Sequence, residues 1–212
     1  MIELYYLPGS ASLAPHMVLE EAGAEYRLVR VEREDGRIVS PPNYLELNPL
    51  GRVPALVDGD LRLTESAAIV MYLCDRFSAG GLAPEPGTPE RGLWYRWLVY
   101  LTNTVQPALI AFFGPGRAAA GPEGEPAVKA GAIRQLDDQR VFLSGHLAAG
   151  GPCLLGERFT SADLYLAMLT RWTRRLEQKW WDDPQIGAHY RRIVDRPASR
   201  RVWAQQGLDD SA

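Results

Sequence analysis

Residues 48–67 run Asn48-Pro49-Leu50-Gly51-Arg52-Val53-Pro54-Ala55-Leu56-Val57-Asp58-Gly59-Asp60-Leu61-Arg62-Leu63-Thr64-Glu65-Ser66-Ala67. Asn48-Pro49-Leu50-Gly51 is a turn signal. Residues 53–57 are strand-like, with the proline at the start, where a missing N–H is tolerated. Asp58-Gly59-Asp60 signals a hairpin, and residues 61–64 return as a second strand. Glu65-Ser66-Ala67 opens a helix whose Ile69, Tyr72, Leu73 and Phe77 recur at i, i+3, i+4 and i+8, one apolar stripe. This segment predicts ββα.

Upstream, Ile2, Leu4 and Tyr6 alternate with Glu3 and Tyr5, the period of a strand. Pro8-Gly9-Ser10-Ala11-Ser12 breaks it. Residues 13–22 read as a helix closed by Gly23, and 26–31 alternate again. The connection is long enough for a parallel crossover, so this piece predicts βαβ. Residues 32–40 are a polar stretch, and 44–47 a short helical piece. Residues 1–79 therefore form one domain, βαβ–α–ββα, and 80–88 are a linker by composition.

Residues 89–212 show no convincing strand pattern and predict an all-α domain. Thr88-Pro89-Glu90 is an N-cap, a first-turn proline and a first-turn acid. Trp94, Trp97, Leu98, Leu101 and Val105 follow as a helical stripe, and Pro107 is expected to kink or break that helix. Residues 114–126 read as a mobile loop and 127–147 as a long helix. Phe159-Thr160-Ser161-Ala162-Asp163-Leu164 is a capping box with its hydrophobic staple. It assigns Asp163 to structure rather than to catalysis. Residues 165–169 are apolar on nearly all sides, the mark of a central buried helix. Two short helices follow, near 185–194 and 198–205.

The chain's 212 residues carry 23 basic and 26 acidic groups, a net charge of −3. The absence of a basic excess argues against nucleic-acid binding. Cys74 and Cys153 are too few for a disulfide scaffold and read as buried thiols in a reducing cytosol. No Cys-x-x-Cys occurs, and His16, His146 and His189 match no metal spacing. The start resembles no signal peptide. The longest apolar run, 67–74, is far short of a membrane span. The expectation is a soluble, cytoplasmic protein with no metal and no membrane partner.

Four segments, in this order and at these separations, resemble the glutathione S-transferase family. They are Tyr6-Leu7-Pro8-Gly9-Ser10-Ala11-Ser12-Leu13-Ala14, Asn48 to Leu56 as quoted above, Thr64-Glu65-Ser66-Ala67-Ala68-Ile69, and Phe159-Thr160-Ser161-Ala162-Asp163. The first looks most like the bacterial beta class. The resemblance covers essentially the whole chain. It implies a thioredoxin-like N-terminal domain, an all-helical C-terminal domain, glutathione as co-substrate with no further cofactor, and a homodimer. Trp94, Tyr95, Arg91, Leu63 and Met71 are the residues expected near the dimer contact.

The residues of the first domain suit that ligand. A helix opened by Glu65-Ser66 favours an anion through its N–H groups and macrodipole. Ser66 would hold the ligand's α-carboxylate and Glu65 its ammonium; the alternative is that both merely cap and charge the helix. The family has a cis bond at the position of Val53-Pro54, which would turn the Val53 N–H and C=O outward to pair with the ligand's cysteinyl backbone. Arg33, Arg37 and Arg52 are candidates for the glycine carboxylate.

The family's beta class usually carries cysteine where this chain has Ala11 and histidine where it has Gln106. An alanine forms no mixed disulfide. Activation of the sulfur then falls to a hydroxyl, with Ser12 ranked first, Ser10 second and Tyr6 third. Ser12 is also a candidate N-cap. The electrophile is expected against the helical domain, at Tyr100, Asn103, Thr104, Gln106 and Phe113, with Phe112, Trp172 and Arg175 nearby. The leading expectation is conjugation of glutathione to small hydrophobic electrophiles, a detoxification chemistry. The alternatives are a non-catalytic binding module and a glutathione-dependent thiol reductase.

Overall fold

The computed structural model describes residues 1–35 and 37–209. Two compact units divide the chain, Met1–Ala83 joined by the described residues from Val194 onward, and Pro84–Ile193. The chain thus returns to the first unit at its end, whereas a plain division into 1–79 and 89–212 puts every later helix in one domain.

The first unit is built on a four-stranded sheet of order β2-β1-β5-β6. Its strands are β1 (Ile2–Tyr6), β2 (Tyr26–Arg30), β5 (Ala55–Asp58) and β6 (Leu61–Thr64). β1 and β2 are parallel across helix α1 (Leu13–Glu21), while β1–β5 and β5–β6 are antiparallel. The alternation of Ile2, Leu4 and Tyr6 puts them on one buried face of β1. Helices α1 and α3 (Ser66–Arg76) pack together, burying Leu13, Met17, Ile69 and Leu73 completely. Burying each such side chain contributes about 1.5–3 kcal/mol. A second cluster holds Val31, Tyr44 and Ala55, with Tyr5, Leu7, Ile38 and Val53 against it; Tyr44 opens the short helix α2 (Tyr44–Leu47).

The polar stretch of 32–40 contains a hairpin, β3 (Glu32–Glu34) and β4 (Arg37–Ser40), on which the sequence reading was silent. Its strands are largely exposed, so neither face carries the apolar alternation that announces a half-buried strand. The last helix, α9 (Pro197–Gln206), packs on α1. Arg196 there pairs with Glu21 through two bonds of 2.5 and 2.8 Å.

The second unit is helical. Thr88 caps α4 (Pro89–Tyr100), its hydroxyl accepting from Arg91 N–H. Pro107 does not end the helical run. The chain passes through a π turn at Leu101–Val105, where Gln106 N–H reaches back to Leu101 O, and continues as α5 (Gln106–Phe113). One extra residue in the turn absorbs the donor that proline lacks. The 114–126 segment contains two short 3₁₀ turns before α6 (Glu125–Gly150). Helix α7 (Ser161–Trp172) has Ser161 to Arg171 buried, the central helix expected. Asp163 takes Thr160 N–H and Leu154 N–H, each at 2.8 Å, and lies 3.0 Å from His189 Nε2 on α8 (Pro184–Val194). The carboxylate is wholly committed to structure, as its capping box implies. Trp94 and Trp97 are core. Cys74 and Cys153 are buried and form no disulfide. Among the described residues no helix is long and apolar enough to cross a membrane, and no acidic, histidine or cysteine cluster suits a metal.

Candidate active site

Register places three sequence signals at one end of the sheet. Tyr5 pairs with Ala55, and Ala55 with Thr64. The turn after Tyr6, the Val53-Pro54 bond before Ala55 and Glu65 after Thr64 therefore leave the same edge of three adjacent strands.

Val53-Pro54 is cis, as the resemblance implies. Val53 is half-buried, and its N–H and C=O make no hydrogen bond among the described residues. Just before it, the Arg52 carbonyl is held by the Tyr44 hydroxyl at 2.5 Å and Asn48 Nδ2 at 2.7 Å. Asn48 also accepts Leu50 N–H through Oδ1 at 3.1 Å. Burial pushes the Tyr44 hydroxyl pKa up to about 12, so it stays a donor. In the sequence Tyr44 marks only the start of a short helix and Asn48 only a turn. Their bond to Arg52 is what fixes the approach to Val53. The Arg52 side chain is exposed, while Arg33 reaches Gly51 O at 3.2 Å.

Glu65 has φ +69°, a left-handed backbone for a residue with a Cβ. Such a conformation costs about 1–3 kcal/mol and gathers at ligand clamps. Its carboxylate is exposed and makes no hydrogen bond or ion pair among the described residues. Ser66 follows as the buried first residue of α3.

The turn after β1 separates the three candidate hydroxyls. Leu7 O lies 3.2 Å from Ser10 N, 2.8 Å from Ser10 Oγ and 3.1 Å from Ser12 Oγ. The two hydroxyls are 2.8 Å apart. A carbonyl has two lone pairs, and Ser10 N–H takes one, so one hydroxyl takes the other. Ser12 is wholly buried, and its proton must stay within the turn. Ser10 is half-buried, and its hydroxyl also accepts Ser12 N–H at 3.3 Å. Ser12 makes no side-chain cap bond on α1. Both serines thus belong to one hydrogen-bonded turn, Ser12 on its buried side and Ser10 on its partly exposed side. Tyr6 is 8% exposed and packs toward His16, ring centres 6.4 Å apart. Ala11 stands between the serines, half-buried.

The residues expected at the electrophile site have different neighbours in the second unit. The Tyr100 ring packs on Phe142 of α6, centres 5.3 Å apart. Gln106 instead accepts the Tyr165 hydroxyl of α7 at 2.6 Å, and that hydroxyl also receives Thr102 Oγ1 at 2.9 Å. Asn103 and Thr104 are exposed on the π turn. Phe113 is 40% exposed, beside Phe112, Trp172 and Arg175.

Residues 1–75 match the glutathione S-transferase N-terminal domain model. Over 209 residues the chain is 31% identical to glutathione S-transferase GstA of Escherichia coli O157:H7, covering 98% of this chain and 100% of that one. The chain belongs to the glutathione S-transferase family. Two solved bacterial transferases share its fold at TM-score 0.86. One is a sphingomonad enzyme complexed with glutathione, 31% identical over 98% of this chain and 100% of that one. The other is a beta-class enzyme of Sphingomonas chungbukensis, 30% identical with the same coverage. The disulfide-bond oxidoreductase YfcG of Escherichia coli is 28% identical, over 99% of this chain and 98% of its own. As in these transferases, a thioredoxin-like sheet domain precedes a helical one.

Proposed function

We propose that this transferase joins the sulfur of glutathione to small hydrophobic electrophiles and activates that sulfur without a cysteine. The observation that carries the reading is the convergence of the turn, Val53 and Glu65 at one end of the sheet. Val53 would pair with the ligand's cysteinyl backbone. Glu65 would hold the ammonium and the start of α3, at Ser66, the α-carboxylate. The Ser10 hydroxyl would then donate to the thiolate, which stabilises the reactive form. The sulfur lone pair makes the new S–C bond, the leaving group departs with its bonding pair, and the thiol proton goes to water. The solved glutathione complex of a relative supports the ligand, and the unpaired main chain of Val53 supports a strand-like pairing with it.

Thiol reduction is the second reading, favoured by the relative named for disulfide-bond oxidoreduction. Against it stand Ala11 in the turn and the burial of Cys74 and Cys153. We also propose a homodimer through α4 and α6. Of the expected contact residues, Trp94 and Arg91 are buried within the unit and drop out, whereas Tyr95 is exposed. Val99, Val141 and Phe142 extend that exposed apolar surface.

Calorimetry with glutathione, followed by turnover of a chlorodinitrobenzene, tests the main reading. Binding with turnover is expected. Binding without turnover of any electrophile leaves a binding module, and no binding overturns every glutathione-dependent reading.

A further inference from the structure

A chain of polar groups joins the last helix to the turn after β1. Gly9 N–H donates to Gln206 Oε1 at 2.9 Å, and Gln206 Nε2 lies 2.8 Å from His16 Nδ1. His16 Nε2 lies 2.9 Å from the Tyr26 hydroxyl, which donates to Glu20 Oε1. Glu20 Oε2 accepts Arg201 Nε at 2.6 Å. Gln206 is 5% exposed and His16 not at all. The partners fix the protons on Gln206 and His16. Gly9 N–H requires the Gln206 carbonyl, so the amide NH₂ faces His16 and Nδ1 accepts. The imidazole proton then sits on Nε2 and donates to Tyr26, whose own proton goes to Glu20 or Gln205.

The bonds on Leu7 O fix residues 7–12 relative to one another. Gly9, with φ +64°, is where that turn meets the rest of the unit. Gln206 ties it to α9, and α9 is held along α1 by the Arg196–Glu21 and Arg201–Glu20 pairs. We propose that Gln206 is a positioning residue, clamping Gly9 so that Ser10 presents its hydroxyl to the sulfur at a fixed place, with His16 and Tyr26 orienting the clamp. The inference rests on the transferase reading of this turn and adds to it a residue far outside the site motifs. A misplacement of about 1 Å at a reacting centre costs about 100-fold in rate, which gives such a clamp its value. Burial pushes the His16 pKa down to about 4, so the imidazole remains the acceptor that Gln206 needs near neutral pH.

Two variants of the full chain test this. Gln206→Met keeps the length and packing of the side chain but removes both bonds. Gln206→Glu restores the acceptor for Gly9 and draws a proton onto His16 Nδ1. The readouts are the thiolate ultraviolet absorbance of bound glutathione against pH, glutathione affinity by calorimetry, and His16 protonation by NMR. Gln206→Met is expected to raise the thiol midpoint by about one pH unit, tenfold in proton affinity, with affinity measured at pH below the midpoint changed less than about threefold. Gln206→Glu is expected to bring the midpoint back, with His16 protonated at neutral pH. An unmoved midpoint in Gln206→Met, or a shift that Gln206→Glu does not reverse, overturns the inference alone. An unaltered protein that binds no glutathione overturns the transferase reading beneath it.

Discussion

The hydroxyls of Ser10 and Ser12 lie 2.8 Å apart beside the same carbonyl, Leu7 O, yet only Ser12 is wholly buried. Ser12→Ala is therefore expected to cost about 1 kcal/mol of stability, the net value of one hydrogen bond, and to leave the bound thiolate's titration in place. Ser10→Ala is expected to raise the thiol midpoint and lower turnover at neutral pH. Thiolate absorbance and chemical denaturation of the two variants separate these effects. The reverse pattern would return the donor role to Ser12.

Glu65 combines a strained backbone with a carboxylate unpaired among the described residues. Glu65→Ala is expected to weaken glutathione binding by about 1.5–3 kcal/mol, the range for a charged hydrogen bond, or about 10- to 150-fold. Calorimetry reads this directly, and unchanged affinity would place the ammonium elsewhere.

His16 gives the first unit a dependence on acid. Its folded pKa of about 4 lies below the ordinary value of 6.5, so between those values the unfolded chain binds the extra proton. Stability contributed by the neutral imidazole is intact above about pH 6.5 and is lost as pH falls toward 4. The loss is about 3 kcal/mol. NMR titration of the His16 ring checks the assignment; a midpoint near 6.5 contradicts it. Glu20 adds to this loss at lower pH, since its folded pKa lies below the ordinary value of 4.5 and the stability it contributes falls away as pH drops past that value. Burial alone would raise its pKa, but hydrogen bonds from Tyr26, Arg201 and Gln205 outweigh burial and hold it low.

Asp163 receives two buried main-chain N–H groups and faces His189. Asp163→Ala leaves those donors without an acceptor, at about 1–3 kcal/mol each. A loss of about 3 kcal/mol or more is expected in chemical denaturation, with glutathione affinity unchanged while the chain is folded.

Tyr95, Val99, Val141 and Phe142 expose apolar surface on two neighbouring helices. Light scattering is expected to give about twice the 23.5 kDa chain mass at micromolar concentration. Tyr95→Glu with Phe142→Glu is expected to halve it. A single-chain mass for the unaltered protein would rule the dimer out.

The strands β1, β5 and β6, helix α3 and the Thr160–Asp163 box were legible in the sequence because each is settled within a few residues. Alternation, a turn residue or a cap acts over one turn of chain. The same locality marks Val53 as lying beside a strand start and Glu65-Ser66 as opening a helix; the cis bond at Val53-Pro54 came from the family resemblance. Other features depend on what distant chain supplies. Whether Pro107 breaks a helix or is absorbed by a π turn is settled by the packing of α4 and α5, in which Leu101, Val105 and Leu109 stay buried. The hairpin at β3 and β4 has no buried face to print a pattern. The choice between Ser10 and Ser12 turns on burial, which two neighbouring serines do not disclose. Gln206 meets Gly9 across 197 positions only because α9 lies along α1. Local side-chain chemistry writes itself into sequence order, whereas a hydrogen bond between remote residues exists only once packing has brought its donor and acceptor together.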